Sequence, residues 1–435
     1  MSTISPNKIE IPSKWDIIPI HTSDRETFKQ CRRKWDWSSP SRRNLIRKVN
    51  IYGVIMPLWF GTGIHYCLQK FYDPALSEDP EKMFEAWFDV EWNGGLVHFN
   101  ELDYFADREP EPAFHDPTRS SVVDEHTGRV LPAIWKVRGL QELLPEIDYE
   151  AFEEHKALGI NMMRYYKDYA QRNDNFRVVA SEHTFSVPIH DDEGRIIKVV
   201  DTRVMPDWWE GDPNEPKEVH ARGRNDTIVQ DLDSGQYGIL EHKTSARIDE
   251  DYFRHLDLDE QCTTYLWAAE QEAQLYDLEY KEVSFIIYNA LRKAYPKPPT
   301  MTTKGLPSID RQKESTTAYL FDKCIKENGL ELVYGTDERM KNYYQYLLEM
   351  GESLFIQRGA PGFPYVLRNK AQRVNAGKRL YMEAMDMLDN PRIYHNPTKN
   401  FTCLNCVFRE PCIQKETGLD YEMVLGENYR SNYDR

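Results

Sequence analysis

The chain has 435 residues, of which 40% are hydrophobic, 29% charged and 12% aromatic, the balance of a folded globular protein with room for one large domain or two or three smaller ones. A formal net charge of −16 excludes a protein that coats nucleic acid through bulk positive charge but leaves room for a local basic groove. No apolar run approaches the ~20 residues that span a bilayer, no signal-type N-terminus is present, and no Gly-x4-Gly-Lys-Ser/Thr loop occurs, so the expectation is a cytoplasmic protein that is not an ATP-driven motor.

Residues 1–20 read as an extended lead-in. Ser23-Asp24-Arg25-Glu26 offers a cap and an acidic first turn, which predicts a helix through Phe28 and Cys31 into a basic stretch. That stretch holds Arg32, Arg33, Lys34, Arg42, Arg43, Arg47 and Lys48 with only Asp36 opposing them. Trp35 and Trp37 are interleaved, so Arg32, Arg33, Lys34, Trp35 and Trp37 are candidate nucleic-acid contacts, the alternative being a solvated helix end with two core tryptophans. A second helix includes Gly61 to Tyr72, with Ile64, Leu68, Phe71 and Tyr72 as its buried stripe and His65 and Gln69 beside it, one turn apart. Residues 99–131 are acidic, proline-punctuated and aperiodic, and are expected to form a surface insertion. A helix follows over about 148–172.

Strand signals then cluster. Arg177–Ile189 and Arg195–Met205 flank the turn Asp191-Asp-Glu-Gly194, and Arg224–Gln230 and Gln236–Thr244 flank Asp231-Leu-Asp-Ser-Gly235, which predicts two hairpins. A helix over about 259–276 and a buried strand at Val283–Tyr288 come next, so the order β-β-β-β-α-β implies a mixed sheet with helices packed on it. Residues 292–312 read as a loop or arm carrying Lys293, Lys297 and Lys304. Three more helices are expected over 316–328, 337–354 and 370–388.

Within the second hairpin, alternation brings Glu241 and Lys243 to one face and sends His242 to the other. Strands about 5 Å apart let Asp226 face the pocket of Glu241 if the register allows, and two carboxylates beside a lysine suit a hard divalent cation such as Mg²⁺ or Mn²⁺. Gln261 and Tyr265 lie one turn apart on the following helix. Of seven cysteines, Cys67, Cys262 and Cys324 sit among apolar residues. Cys403-x2-Cys406-x5-Cys412 has metal-ligand spacing but is one ligand short, and Cys31 is the candidate fourth.

The order Gly-Arg-x-Asp226, Glu241-x-Lys243, Gln261-x3-Tyr265 resembles the PD-(D/E)XK nuclease superfamily, in particular its RecB-like branch, and Gly63-Ile-His65 looks like that branch's additional metal-binding histidine. The resemblance implies a restriction-endonuclease-like α/β core, a mixed central sheet flanked by helices, with a helical N-terminal part and a C-terminal iron–sulfur staple. Its boundaries would be an N-terminal region over 1–150, a nuclease core over 151–312 and C-terminal helices with the cysteine segment over 313–435. By resemblance, Asp226, Glu241, His65 and the backbone carbonyl of His242 would hold Mg²⁺ or Mn²⁺, Lys243 would orient the attacking water, and Gln261 and Tyr265 would face DNA. Asp207, preceded by a proline, competes with Asp226. Cys31, Cys403, Cys406 and Cys412 would carry a 4Fe–4S cluster, with Zn²⁺ on the same four thiolates as the alternative. The implied function is a metal-dependent DNA nuclease, an exonuclease acting on single- or double-stranded DNA ends, similar to bacteriophage-encoded members and acting in the cytoplasm of a bacterium or phage-infected host, with recombination or repair proteins as possible partners. A CRISPR-adaptation nuclease and a catalytically silent DNA-end-binding protein are the alternatives.

Overall fold

A computed structural model describes residues 9, 11–48, 56–107, 110–113, 121–123, 130–144, 149–203, 205, 209–359, 365–389, 391–398, 402–404 and 406–431. Its centre is an eight-stranded mixed sheet. The strands are β1 (Ile17–His21), β2 (Phe176–Pro188), β3 (Lys198–Val200), β4 (Pro216–Asp231), β5 (Tyr237–Ser245), β6 (Val283–Arg292), β7 (Ile356–Arg358) and β8 (Val366–Leu367). The helices used below are α1 (Thr22–Gln30), α2 (Arg32–Ser38), α3 (Met56–Tyr72), α4 (Pro80–Asn93), α5 (Tyr149–Asn173), α6 (Glu260–Leu275), α7 (Lys370–Leu388), α8 (Arg409–Glu416) and α9 (Tyr421–Asn428).

The long strand β4 organises the sheet. It pairs antiparallel with β2 along residues 220–231, parallel with β1 at 218–222, and antiparallel with β5 at 227–230. The parallel pair β5–β6 needs a crossover, and α6 supplies it. Side-chain alternation then divides the core. Ile228, Ile239, Ile286 and Tyr288 pack on one face with Leu266 and Trp267 of α6 and Leu380 of α7. Val229, Leu240, Phe285 and Ile287 pack on the other with Phe60 and Ile64 of α3, Phe84 and Trp87 of α4, and Tyr166 of α5. Buried arginines fasten α7 to this body: Arg373 Nε lies 2.9 Å from Glu270 Oε2 and Arg25 Nε 2.5 Å from Glu383 Oε2.

The mixed sheet flanked by helices, the α3 stripe and the helices at 149–173, 260–275 and 370–388 agree with the sequence reading. Four expectations are corrected. The lead-in contributes β1, so the sheet recruits strands from before and after the central segment. The helix expected to run through Cys31 is broken there, because Cys31 is extended at φ −167° between α1 and α2. The first hairpin's second strand shrinks to β3, which pairs with Pro216–Glu218 of β4, while a single bridge between His190 and Ile196 closes the turn. In the segment expected to be a surface insertion, Leu102, Tyr104, Phe105 and Ala106 are buried, because its first turn packs into the α3–α4 core.

Candidate metal and nucleic-acid site

The site forms where β4 changes neighbours. Asp226 follows the stretch paired with β1 and precedes the first residue paired with β5, Thr227 opposite Leu240. The alternation of β4 also changes phase here: Val219, Ala221 and Ile228 all bury on the same face although they differ in parity. Next door on β2, Glu182 takes φ +49°, a left-handed conformation that a non-glycine residue adopts only when its surroundings fix it. With the ladder interrupted, the backbone N–H of His242 donates to Asp226 Oδ2 at 2.7 Å. This one contact fixes the first carboxylate against the strand that carries the second.

Glu241 and Lys243 emerge together, as period-two alternation requires. Lys243 Nζ lies 2.5 Å from Glu241 Oε1, and the Gln261 amide donates to the same oxygen at 3.3 Å and to Tyr265 OH at 2.9 Å. Glu241 Oε2 is buried and has no hydrogen-bond partner among the described residues. His65, from α3, places Nδ1 3.6 Å from Asp226 Oδ2. Asp207, the competing aspartate, lies outside the described residues.

The electrostatics follow from crowding buried charge. Burial and the Asp226 charge push the Glu241 carboxyl up to about 7, although Lys243 pulls it down. Burial raises Asp226 as well. Burial alone would lower Lys243, yet Glu241 and Asp226 outweigh it and hold the ammonium well above its ordinary value. Burial and Lys243 bring His65 down to about 4, so its imidazole is neutral near pH 7 and keeps a lone pair to donate.

One acidic residue was not found from the sequence. Glu182 is pushed up to about 7 by burial and by Asp226; Arg224 Nη1 lies 3.2 Å from its Oε2, and Tyr104 hydrogen-bonds to it. Strict alternation gives no signal for this carboxylate, because the irregularity of β2 that turns it toward Asp226 is a tertiary feature.

Among the described residues, no group of three or more His, Cys, Asp or Glu stands ready-assembled around a metal position. The donor set nonetheless fits a hard divalent cation: excess negative charge is buried, one carboxylate oxygen has no partner among the described residues, and Lys243 rests on the other.

The nucleic-acid candidates fare differently. Trp35 and Trp37 are 0% and 1% exposed, so they are core residues and not open stacking platforms. Trp35 packs edge-on against Phe28, and Trp37 against Phe408. Arg33 is buried beside Glu416 at 2.5 Å and Arg43 pairs with Glu422 at the surface, so part of the basic charge is already taken up by ion pairs. Arg32, over the Phe28 ring, and Lys34 stay half-exposed.

The same packing brings the chain's two ends together: Trp37 of α2 shares a cluster with Phe408, Leu425 and Tyr429, and Cys406 and Cys412 pack against it. Cys31 and Cys412 are close enough to Cys406 that their charges, after burial, help raise its thiol. Cys403 has its Sγ 3.5 Å from His395 Nε2.

No curated protein matches this chain significantly. The family model of the PD-(D/E)XK nuclease superfamily matches residues 111–413; Glu182, Asp226, Glu241, Lys243, Gln261 and Tyr265 lie inside the match, whereas Cys31 and His65 precede it. Because the match spans well over half of the chain and every strand of the central sheet except β1, the chain belongs to the PD-(D/E)XK nuclease superfamily.

Proposed function

We propose that this chain is a metal-dependent nuclease acting as an exonuclease on DNA ends. Superfamily membership implies a nuclease that uses Mg²⁺ or Mn²⁺ and takes DNA as substrate. The observation that supports a working catalytic site is the convergence of Asp226, Glu241 and Lys243, with one Glu241 oxygen buried and without a partner among the described residues.

Asp226, Glu241, the His242 backbone carbonyl and the neutral His65 imidazole are the groups that would hold the cation. When bound, it supplies Lewis acidity toward the scissile phosphate and acidifies a water. Lys243 stays protonated throughout the neutral range, so its part is to orient that water and share the charge developing on the phosphoryl oxygens. It is not a general base. Gln261 steadies Glu241 Oε1 and is itself braced by Tyr265, which fixes the carboxylate before substrate arrives.

Cys31, Cys403, Cys406 and Cys412 carry, in this reading, a 4Fe–4S cluster that staples α2 to the C-terminal segment. The proximity of three of these thiols supports it, and His395 beside Cys403 keeps a zinc site as the competing chemistry. Iron content with absorbance near ~400 nm separates the two, since Zn²⁺ is colourless. The resemblance to bacteriophage-encoded nucleases supports a setting in a bacterial or phage-infected cytoplasm.

The test is a digest of end-labelled linear and closed circular DNA, single- and double-stranded, with Mg²⁺, Mn²⁺ or chelator. Stepwise release from linear ends, circular DNA spared and no product in chelator is the expected result. Equal cutting of circles overturns the exonuclease role, and no metal-dependent product overturns the nuclease.

A further inference from the structure

Behind the Glu241–Lys243 strand lies a closed circuit of buried polar groups whose hydrogen positions follow from which atoms can donate. Arg358 of β7 has only donors, so the Asn289 atom 3.3 Å from its Nε is the carbonyl oxygen Oδ1. The other Asn289 atom is therefore the amide nitrogen, which stands 3.0 Å from Tyr166 OH and 2.8 Å from His242 Nδ1. Both contacts receive a proton from Asn289. His242 Nδ1 must then be bare, and the ring proton sits on Nε2, a buried atom with no hydrogen-bond partner among the described residues. Tyr72 OH donates to Asp174 Oδ2 at 2.9 Å, so the 2.8 Å contact between Tyr72 and Tyr166 carries the Tyr166 proton. An ion pair between Asp174 Oδ1 and Arg358 Nη1, 2.6 Å apart, closes the ring.

This circuit touches two of the elements that carry the candidate site, α3 and β5, and braces them from α5, β6 and β7. Tyr72 ends α3, the helix that carries His65, and its ring stacks on His242 with centroids 5.5 Å apart and planes at 21°. Tyr166 comes from α5 and meets His242 edge-on at 6.2 Å. Asn289 lies directly across from His242 in the parallel pair β5–β6. His242 itself separates Glu241 from Lys243, and its backbone N–H holds Asp226.

We propose that Asn289, held by Arg358, is a positioning residue for the metal site: it fixes His242 as the Nε2–H tautomer and so locks the peptide that sets Asp226, Glu241 and Lys243. Neither residue touches metal or DNA in this scheme. The inference rests on the reading of Asp226 and Glu241 as metal ligands.

The test uses the full-length protein, with nitrogen-15 NMR of labelled histidine for the tautomer and calorimetric titration with Mn²⁺ for affinity. Asn289→Asp replaces the donating amide by an acceptor and is expected to move the proton to Nδ1 and weaken Mn²⁺ binding about tenfold, the scale on which residues supporting metal ligands act. Tyr166→Phe leaves the Arg358–Asn289–His242 branch intact and should change neither reading. If Asn289→Asp does not fold, Asn289→Ser carries the affinity arm: it is too short to reach His242, and the same loss is expected. An Nδ1–H tautomer in the parent, or unchanged Mn²⁺ affinity in the folded Asn289 variant, overturns the inference alone. A parent that binds no Mn²⁺ overturns the metal reading and the inference together.

Discussion

Replacing Glu241 by glutamine separates the cost of holding the site from its use. The carboxyl has an ordinary value of 4.5 and is pushed up to about 7 by burial and Asp226. Raising the value by that much corresponds to about 3 kcal/mol against the ionised form in the folded state. A carboxyl that binds its proton more tightly folded than unfolded contributes most to stability at low pH. Its contribution falls as pH rises from about 4.5 to about 7 and is flat above. Lys243's attraction is already contained in that figure, so Glu241→Gln is expected to stabilise the chelator-treated protein by about 1–3 kcal/mol at pH 8 and by almost nothing at pH 4.5. Urea unfolding of both proteins at the two pH values measures this directly, and Glu182, raised in the same range, cancels in the comparison. The same variant should lose metal-dependent cleavage. A Glu241→Gln protein that is less stable than the parent at pH 8, or that cuts DNA at the parental rate, refutes the account of a crowded anionic site awaiting a cation.

Lys243→Met should lower kcat by ~10²–10³ while DNA binding survives, as measured by single-turnover cleavage beside a gel-shift titration. Chelator should abolish cleavage and Mn²⁺ restore it, read in the same end-label assay. Gly63 sits where an added Cβ would come within 2.4 Å of the Trp87 ring, so Gly63→Ala should cost about 1–3 kcal/mol in urea unfolding by prising α3, with His65, from α4. Cys406→Ser should abolish any iron or zinc retained on purification, measured by elemental analysis, and lower Tm by loosening α2 from the C-terminal segment.

The candidate site was readable because it obeys local geometry: two-residue alternation joins Glu241 to Lys243, and one helical turn joins Gln261 to Tyr265. The contribution of Asp226 depended on register, which the hairpin spacing suggested and the His242 contact realises. What escaped notice depends on departures from periodicity. Glu182 reaches Asp226 through a left-handed backbone position, and Tyr104 reaches Glu182 from a segment whose acidic, proline-rich sequence read as surface. Trp35 and Trp37 show the opposite failure. Residue type cannot tell a stacking platform from a core plug, and only the packing of Phe28 and Phe408 on them decides.

The parallel pairing of β1 with residues 218–222 of β4 has a consequence for how the protein is made. β1 leaves the ribosome ~200 residues before its partner, a wait of about 10–40 s at ordinary elongation rates. During that interval its run Ile17-Ile18-Pro19-Ile20, fully buried in the finished protein, is an apolar edge without a sheet. Pro19 lacks an amide donor and makes that run a poor template for pairing with another nascent chain, which is one way to carry an early strand safely to a late partner.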